Sequence, residues 1–256
     1  TSCDACGSGQ YSAVGASSCA ACVAGTYDHD SSAETGCEAC AAGTVSGASA
    51  TVCTSCGTGE TDDDSDASTP CVGCVIGQYQ DVVGSTSCKS CAIGRYQDQT
   101  AQTACIECVA GRYADVVGSD DVSDCIGCAA GKYVEDTGQT AASDCIACGA
   151  GRYAPTQGNS LASACIACVA GKWLGTVGNA NASDCISCEA GTYGTSGTIA
   201  TGCISCDGGT AQPLRGQTSC DACGSGQYSA VGASSCAACV AGTYDHDSSA
   251  ETGCEA

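Results

Sequence analysis

Apolar positions along this chain recur as a short cassette. A Cys-x-x-Cys pair is followed three residues later by glycine and two residues after that by an aromatic, and a polar stretch then leads to the next pair, 16 to 20 residues on. The cassette C-x2-C-x2-G-x-[Tyr/Trp] occurs in fourteen complete copies, and Cys254 opens a fifteenth. All ten tyrosines and the single tryptophan, Trp173, hold the aromatic place; Val45, Thr61 and Ala211 replace it in three copies. A glycine at one fixed place (Gly9, Gly25, Gly43 and their equivalents) asks for positive φ or for an approach too close for a Cβ. The aromatic is the one large apolar surface per unit and suits the cover of a disulfide or of the next unit's backbone. Stretches such as Val14-Gly15-Ala16-Ser17 and Val117-Gly118-Ser119-Asp120 read as turns. Each unit thus predicts a two-stranded hairpin, too small to stand without cross-links. The fold class expected is small and disulfide-rich: tandem short β-hairpin or irregular repeats forming an extended rod or superhelix, with little helix.

A second, longer period overlies the first. Residues 1–39 return unchanged as 218–256, a shift of 217 residues. Residues 1–217 are therefore read as one super-repeat of twelve C-x2-C units, and 218–256 as the start of the next. An enzyme needs one unique constellation of groups, whereas this chain offers the same one over and over. The expectation is a protein without catalytic residues and without a cofactor.

Composition sharpens this. There is no Phe and no Met, and the 43% of hydrophobic residues is mostly Ala, Val and Cys. At roughly 25 cal/mol per Å² such side chains bury too little area to offset the entropy of ordering the chain. The 29 cysteines supply the alternative, and that density belongs to an oxidising, extracellular or cell-surface setting. No apolar stretch approaches the roughly 20 residues of a membrane span. A first residue other than Met and the lack of a signal peptide suggest an interior or processed segment, with export signal and any anchor outside it. A net charge of −21 with seven Lys and Arg argues against nucleic acid and against anionic membrane surfaces as partners, and favours a soluble, self-repelling surface.

Tiling narrows the cysteine pairing. Joining the second Cys of each pair to the first of the next gives Cys6–Cys19, Cys22–Cys37, Cys40–Cys53, Cys56–Cys71, Cys74–Cys88, Cys91–Cys105 and Cys108–Cys125. It continues as Cys128–Cys145, Cys148–Cys165, Cys168–Cys185, Cys188–Cys203, Cys206–Cys220, Cys223–Cys236 and Cys239–Cys254, and leaves Cys3 for a unit upstream. Each loop would contribute roughly 3 kcal/mol in the chain-entropy model. The rival is a crossed pattern joining two units into a four-Cys module, which predicts a two-unit alternation of spacing. Four successive 20-residue spacings from Cys105 to Cys185 favour the simple chain of loops.

The C-x2-C-x2-G-x-Tyr unit resembles the ephrin-receptor-like cysteine-rich repeats and, more distantly, the first loop of tumour-necrosis-factor-receptor modules. The long uninterrupted array, rich in Ala, Ser, Thr and Gly, is also similar to ciliate surface antigens and to extracellular fibre proteins of protists. The resemblance implies a disulfide-rich extracellular module. Receptor versions often carry Pro after the second Cys, where this chain has Gly, Val, Ala, Glu or Asp.

Sharper chemistries compete with structural roles for several of these residues. Paired Cys-x-x-Cys motifs match a zinc ribbon formally, but no His ligands are interleaved and the array is unbroken, so disulfides are preferred. Fourteen copies of the redox dipeptide spacing are structural, because a redox site needs one reactive pair near a βαβ unit. His29 and His246 are the same place in two copies, and no nucleophile is placed uniquely beside either. The acidic run Asp62, Asp63, Asp64 and Asp66 is a weak Ca²⁺ candidate, for which a solvated charged loop is the preferred reading. Asp124, Asp144 and Asp184 read as turn formers. Asn181-Ala182-Ser183 is a glycosylation sequon, which makes Asn181 a glycan acceptor on export by a eukaryote. Arg95, Arg112, Lys132, Arg152 and Lys172 follow the repeat glycine and form either a cation–π stripe or, preferably, snorkelling surface residues.

The function expected is a non-catalytic extracellular structural protein, self-associating into a filament or cell-surface coat and bearing glycans. The alternative is a receptor-like or adhesive ectodomain binding a protein or glycan, with its site on an atypical unit.

Overall fold

The computed structural model describes residues 4–195, 201–244 and 249–255; Cys3 and His246 lie outside them. Fourteen disulfides close fourteen successive loops, and we number the hairpins by them, from hairpin 1 at Cys6–Cys19 to hairpin 14 at Cys239–Cys254. Thirteen carry a two-stranded antiparallel pair of two residues per strand, and the fourteenth is closed by a bridge from Tyr244 to Glu255. Among the described residues, helix is confined to four single 3₁₀ turns, such as Val122–Asp124 and Ala182–Asp184. The chain is a disulfide-rich array of tandem hairpins.

The cassette explains each strand pair. The residue after the repeat glycine and the aromatic form one strand, and the two residues inside the next Cys-x-x-Cys form the other: Arg112 pairs with Gly127 and Tyr113 with Ile126. The amide of the cysteine after the second strand extends the ladder to the repeat glycine's carbonyl, as from Cys22 to Gly9 and from Cys148 to Gly131, both 2.8 Å. Ahead of the strand, a turn closes from the residue after the glycine back to the residue after the cysteine, as from Lys132 to Ala129 at 3.1 Å. Its third place requires positive φ, and Gly131 takes +84° there.

No single core exists among the described residues. The apolar interior is a series of small clusters, each built around one disulfide. Cys128, Cys145 and Val134 pack with Tyr113 of the preceding hairpin, and Cys148, Cys165 and Ala154 pack with Tyr133. Tyr96, Tyr113, Tyr133 and Tyr153 thus each cover the next hairpin's disulfide. The residue directly after the aromatic completes the cluster and is buried: Ala114 is 1% exposed, Val134 3%, Ala154 0% and Leu174 3%.

That position is keyed to loop length. Cysteine separations of 13 residues carry Ser there (Ser12, Ser46, Ser229). Separations of 14 carry Gln (Gln80, Gln97, Gln212). Separations of 17 carry an aliphatic side chain (Ala114, Val134, Ala154, Leu174). Separations of 15 carry Asp at Asp28 and Asp62, and Gly at Gly194. The physical reason is visible in the Gln class. Gln80 spans its own short loop, donating from Nε2 to the Ser87 carbonyl (2.6 Å) and accepting from the Val82 amide (3.0 Å); Gln97 and Gln212 do the same. The 17-residue loops hold a 3₁₀ turn of their own and leave an apolar place to fill.

Contacts divide the chain into two compact units. One comprises Thr1–Cys108, Ala114–Cys125 and Gly138–Thr140; the other comprises Val109–Tyr113, Ile126–Thr137 and Ala141–Ala256. Within each, the same joint recurs from hairpin to hairpin.

Candidate functional site at the hairpin joints

Nothing in the array is as regular as the contact between hairpins, and it is built almost wholly from backbone. The repeat glycine donates its amide to the residue after the next hairpin's aromatic: Gly94 to the Ala114 carbonyl (2.7 Å) in the first unit, Gly151 to the Leu174 carbonyl (2.7 Å) in the second. That residue's own amide goes on to the following loop, as from Val134 to the Asn159 carbonyl at 3.1 Å. Where the residue is Asp, its carboxylate substitutes for the carbonyl. Asp28 Oδ2 accepts from the Gly9 amide (3.1 Å), and Asp62 Oδ2 from the Gly43 amide (2.9 Å). Where it is Ser, the hydroxyl adds a bond to the preceding strand, as from Ser46 to the Thr26 carbonyl (2.9 Å) and from Ser229 to Thr210 (2.8 Å).

A second contact reaches past the neighbouring hairpin, to the repeat glycine two hairpins back. The left-handed residue at most loops' tips donates its amide to the carbonyl of the cysteine that opens the preceding hairpin: Ser49 to Cys22 and Gly118 to Cys91 in the first unit, Gly178 to Cys148 and Gly232 to Cys206 in the second, all 2.8 Å. Its carbonyl lies flat on the repeat glycine. A Cβ on Gly9 would come within 2.6 Å of the Ser49 carbonyl carbon, and one on Gly131 within 2.6 Å of that of Gly178, closer still to the oxygens. The repeat glycine therefore answers two demands together, the turn's positive φ and the seating of a carbonyl. The tip residue needs positive φ as well, which glycine supplies at most tips, while Ser49 (+60°) and Ala101 (+56°) adopt it at a cost.

The sequence-derived site residues fall as follows. The structure joins each of the 28 tiled cysteines to the neighbour along the chain, from Cys6–Cys19 to Cys239–Cys254. The acidic run does not converge: no group of three or more metal-ligating side chains gathers among the described residues. Asp62 departs from the solvated-loop reading, because it is 3% exposed and belongs to the joint. Asp64 and Asp66 stay exposed and hold their own loop, Asp64 accepting from the Asp66 amide (2.9 Å) and the Thr69 hydroxyl (3.1 Å). Asp66 accepts from the Ser68 hydroxyl (2.6 Å), which holds its carboxyl below the usual range. Asp30 repeats this with Thr35, whose hydroxyl lowers the Asp30 carboxyl in the same way. Asp124, Asp144 and Asp184 brace the 3₁₀ turns by accepting backbone amides, as from Asp120 (2.9 Å), Ala141 (3.0 Å) and Asn181 (2.9 Å). Asn181 is exposed at the head of such a turn.

The cations following the glycine make cross-strand contacts: Arg95 pairs with Glu107 (2.7 Å), and Arg152 donates to the Cys165 carbonyl (2.8 Å). Lys89 lies over the Tyr79 ring, 5.8 Å from its centroid, and pairs with Asp81, which depresses the Asp81 carboxyl. Of the three units without the aromatic, Thr61 and Ala211 are buried in its place. Sequence reasoning missed the position after the aromatic; its signal was the match between residue type and cysteine spacing.

Residues 64–95 and 84–125 match the family model described as tyrosine-protein kinase ephrin type A/B receptor-like. No curated protein matches the chain. Fourteen disulfides and repeats of this type belong to extracellular or cell-surface proteins. The chain is a tandem array of cysteine-rich repeats, similar over residues 64–125 to the ephrin-receptor-like repeats.

Proposed function

We propose that the protein is a non-catalytic extracellular structural protein whose hairpin array builds a filament or a cell-surface coat. The observation that carries this reading is the joint: one backbone geometry, indifferent to most side chains, recurs at nearly every step of the chain. A contact that repeats without closing on itself propagates. The 217-residue sequence period suits regular packing along such an assembly. Glycans belong to the proposal through Asn181, whose exposed place at a turn leaves it open to modification.

Electron microscopy of native secreted material, before and after a thiol reductant, tests the reading. Long uniform filaments that lose their periodicity on reduction are expected. Dispersed short rods would overturn it and favour the second reading, a receptor-like or adhesive ectodomain, for which the receptor-like match over residues 64–125 speaks.

A further inference from the structure

The disulfides of the array are not equally sheltered. In hairpins 7 to 10, where the cysteines stand 17 residues apart, both cysteines of every disulfide are buried, from Cys108–Cys125 to Cys168–Cys185. A tyrosine and an aliphatic side chain close over each, and a 3₁₀ turn such as Val122–Asp124 or Ala142–Asp144 runs directly into the second cysteine. In hairpins 3 to 6 the loops are shorter, and the second cysteine (Cys53, Cys71, Cys88 or Cys105) is only half-buried. Hairpins 3 to 10 each have at least two hairpins on either side, so the contrast belongs to the interior of the array.

Hairpin 5 differs further. Its disulfide, Cys74–Cys88, follows the hairpin in which Thr61 holds the aromatic place. A groove of about 370 Å³ lies here, bordered by Thr61, Val72, Gln78, Ser87 and both cysteines. The matching groove one hairpin on, where Tyr79 holds the aromatic place, measures about 290 Å³ and is bordered by Cys105 but not by Cys91. The Thr61 hydroxyl lies 3.8 Å from Cys88 Sγ, and it is the donor, because a disulfide sulfur carries no hydrogen. Cys74 is 1% exposed, so the disulfide meets solvent through Cys88.

We propose that Cys74–Cys88 is a thiol-exchange site, taking a small-molecule thiolate at Cys88 Sγ, in an array whose hairpins 7 to 10 are closed to the same reaction. The incoming sulfur attacks Cys88 Sγ in line with the S–S bond and forms a mixed disulfide there. The bond to Cys74 Sγ breaks, and its electron pair leaves on that sulfur. Apolar burial disfavours a thiolate, so Cys74 Sγ takes a proton from water. A second thiolate attacking the small molecule's sulfur carries it away as a disulfide and leaves Cys88 as a thiolate. Two small thiols are oxidised and one protein disulfide is reduced. The groove sits near the lower end of ligand-pocket volumes, which suits a small molecule. Exchange releases the loop of hairpin 5 while the hairpins on either side keep their cross-links. This site stands whether the array builds a filament or a receptor-like ectodomain.

The test treats the oxidised 256-residue chain with 2-mercaptoethanol at about pH 8, quenches with excess N-ethylmaleimide and maps every cysteine by mass spectrometry. The first products expected are a mixed disulfide on Cys88 and an alkylated Cys74. They should form about 10-fold faster than products at Cys91–Cys105, and on the order of 100-fold faster than at Cys128–Cys145. Thr61→Tyr restores the aromatic and should slow the Cys88 adduct about 10-fold, whereas Thr61→Val leaves the groove open and keeps the rate within about twofold of wild type. Circular dichroism checks that each variant is folded. Should Thr61→Tyr fail to fold, Thr61→Leu takes its place, and the order among the wild-type disulfides is a test by itself. Adducts on Cys74 instead of Cys88, hairpins 7 to 10 opening as early as hairpin 5, all disulfides reduced together, or a Thr61→Tyr rate equal to wild type overturns the proposal.

Discussion

Replacing Gly131 by alanine separates the two demands placed on the repeat glycine. The new methyl would stand 2.6 Å from the Gly178 carbonyl carbon, at a backbone φ of +84°. The conformational part is shared with Gly15, which has φ +80° and open space around it, and costs about 1 kcal/mol at either site. The steric part belongs to Gly131 alone. Ordinary contact requires the loop at Gly178 to withdraw by about 1 Å, which breaks its amide bond to Cys148 (2.8 Å) and strains the neighbouring bond from Ala154 to Asn179 (3.0 Å). At roughly 0.5–1.5 kcal/mol per bond, Gly131→Ala loses about 2–4 kcal/mol at the joint, against about 1 kcal/mol for Gly15→Ala. A repeat array does not unfold as one two-state unit, so the readout is local. Amide hydrogen exchange followed by mass spectrometry or NMR should show Gly178 and Ala154 exchanging about 30-fold faster or more, at 1.4 kcal/mol per decade. Cys56, whose amide bonds Gly43, should keep its protection. Unchanged protection at Gly178, or an equal effect of Gly15→Ala on its surroundings, would refute the carbonyl seat.

Three further outcomes are expected. Removing the Cys128–Cys145 disulfide with paired alanines should cost about 3 kcal/mol locally and open residues 128–145 to limited proteolysis, while cleavage elsewhere stays at the wild-type rate. Leu174→Ala removes the side chain packed between Cys168, Cys185 and Tyr153. Because Ala154 fills the same place in the preceding hairpin, the loss should fall near the low end of the usual range, about 2 kcal/mol, read as faster exchange of the Gly151 amide that bonds Leu174. Acid should first loosen the loops that carboxylates brace. The Thr35 hydroxyl holds Asp30, the Ser68 hydroxyl holds Asp66 and the Ser123 amide holds Asp121 below the ordinary carboxylate range. A carboxyl depressed in the folded state contributes stability above its unfolded value, and loses it as pH falls through the folded one. Loop exchange, corrected for intrinsic rate, should therefore rise as pH drops below about 4 at Ser32, Ser68 and Ser123. Asp30→Asn should abolish that dependence at Ser32 alone.

Much of this protein was legible residue by residue. The cysteine cassette, repeated at 16 to 20 residues, marks the hairpin, and the scarcity of large apolar side chains shows that cross-links hold it. The glycine three places after the cysteine announces a left-handed turn, because no other residue takes that conformation freely. These are local statements, decided within one unit by spacing and by backbone sterics. What lay beyond the sequence is what one hairpin does to another. The glycine is also a seat for a carbonyl two hairpins away, and its role as a turn former hides that second demand. Asp62 looked like part of a solvated acidic run, yet it is buried at a joint, because the backbone amide of Gly43 reaches its carboxylate across one hairpin. Val134 and Gln80 hold one place in the fold although nothing in their chemistry relates them, since loop length decides whether that place faces a polar span or an apolar cluster. Gly9 is buried under the carbonyl of Ser49, forty residues on, so its environment is set by neighbours in space. Only the tertiary structure could decide that, because the joint is made by backbone groups, which every residue carries alike.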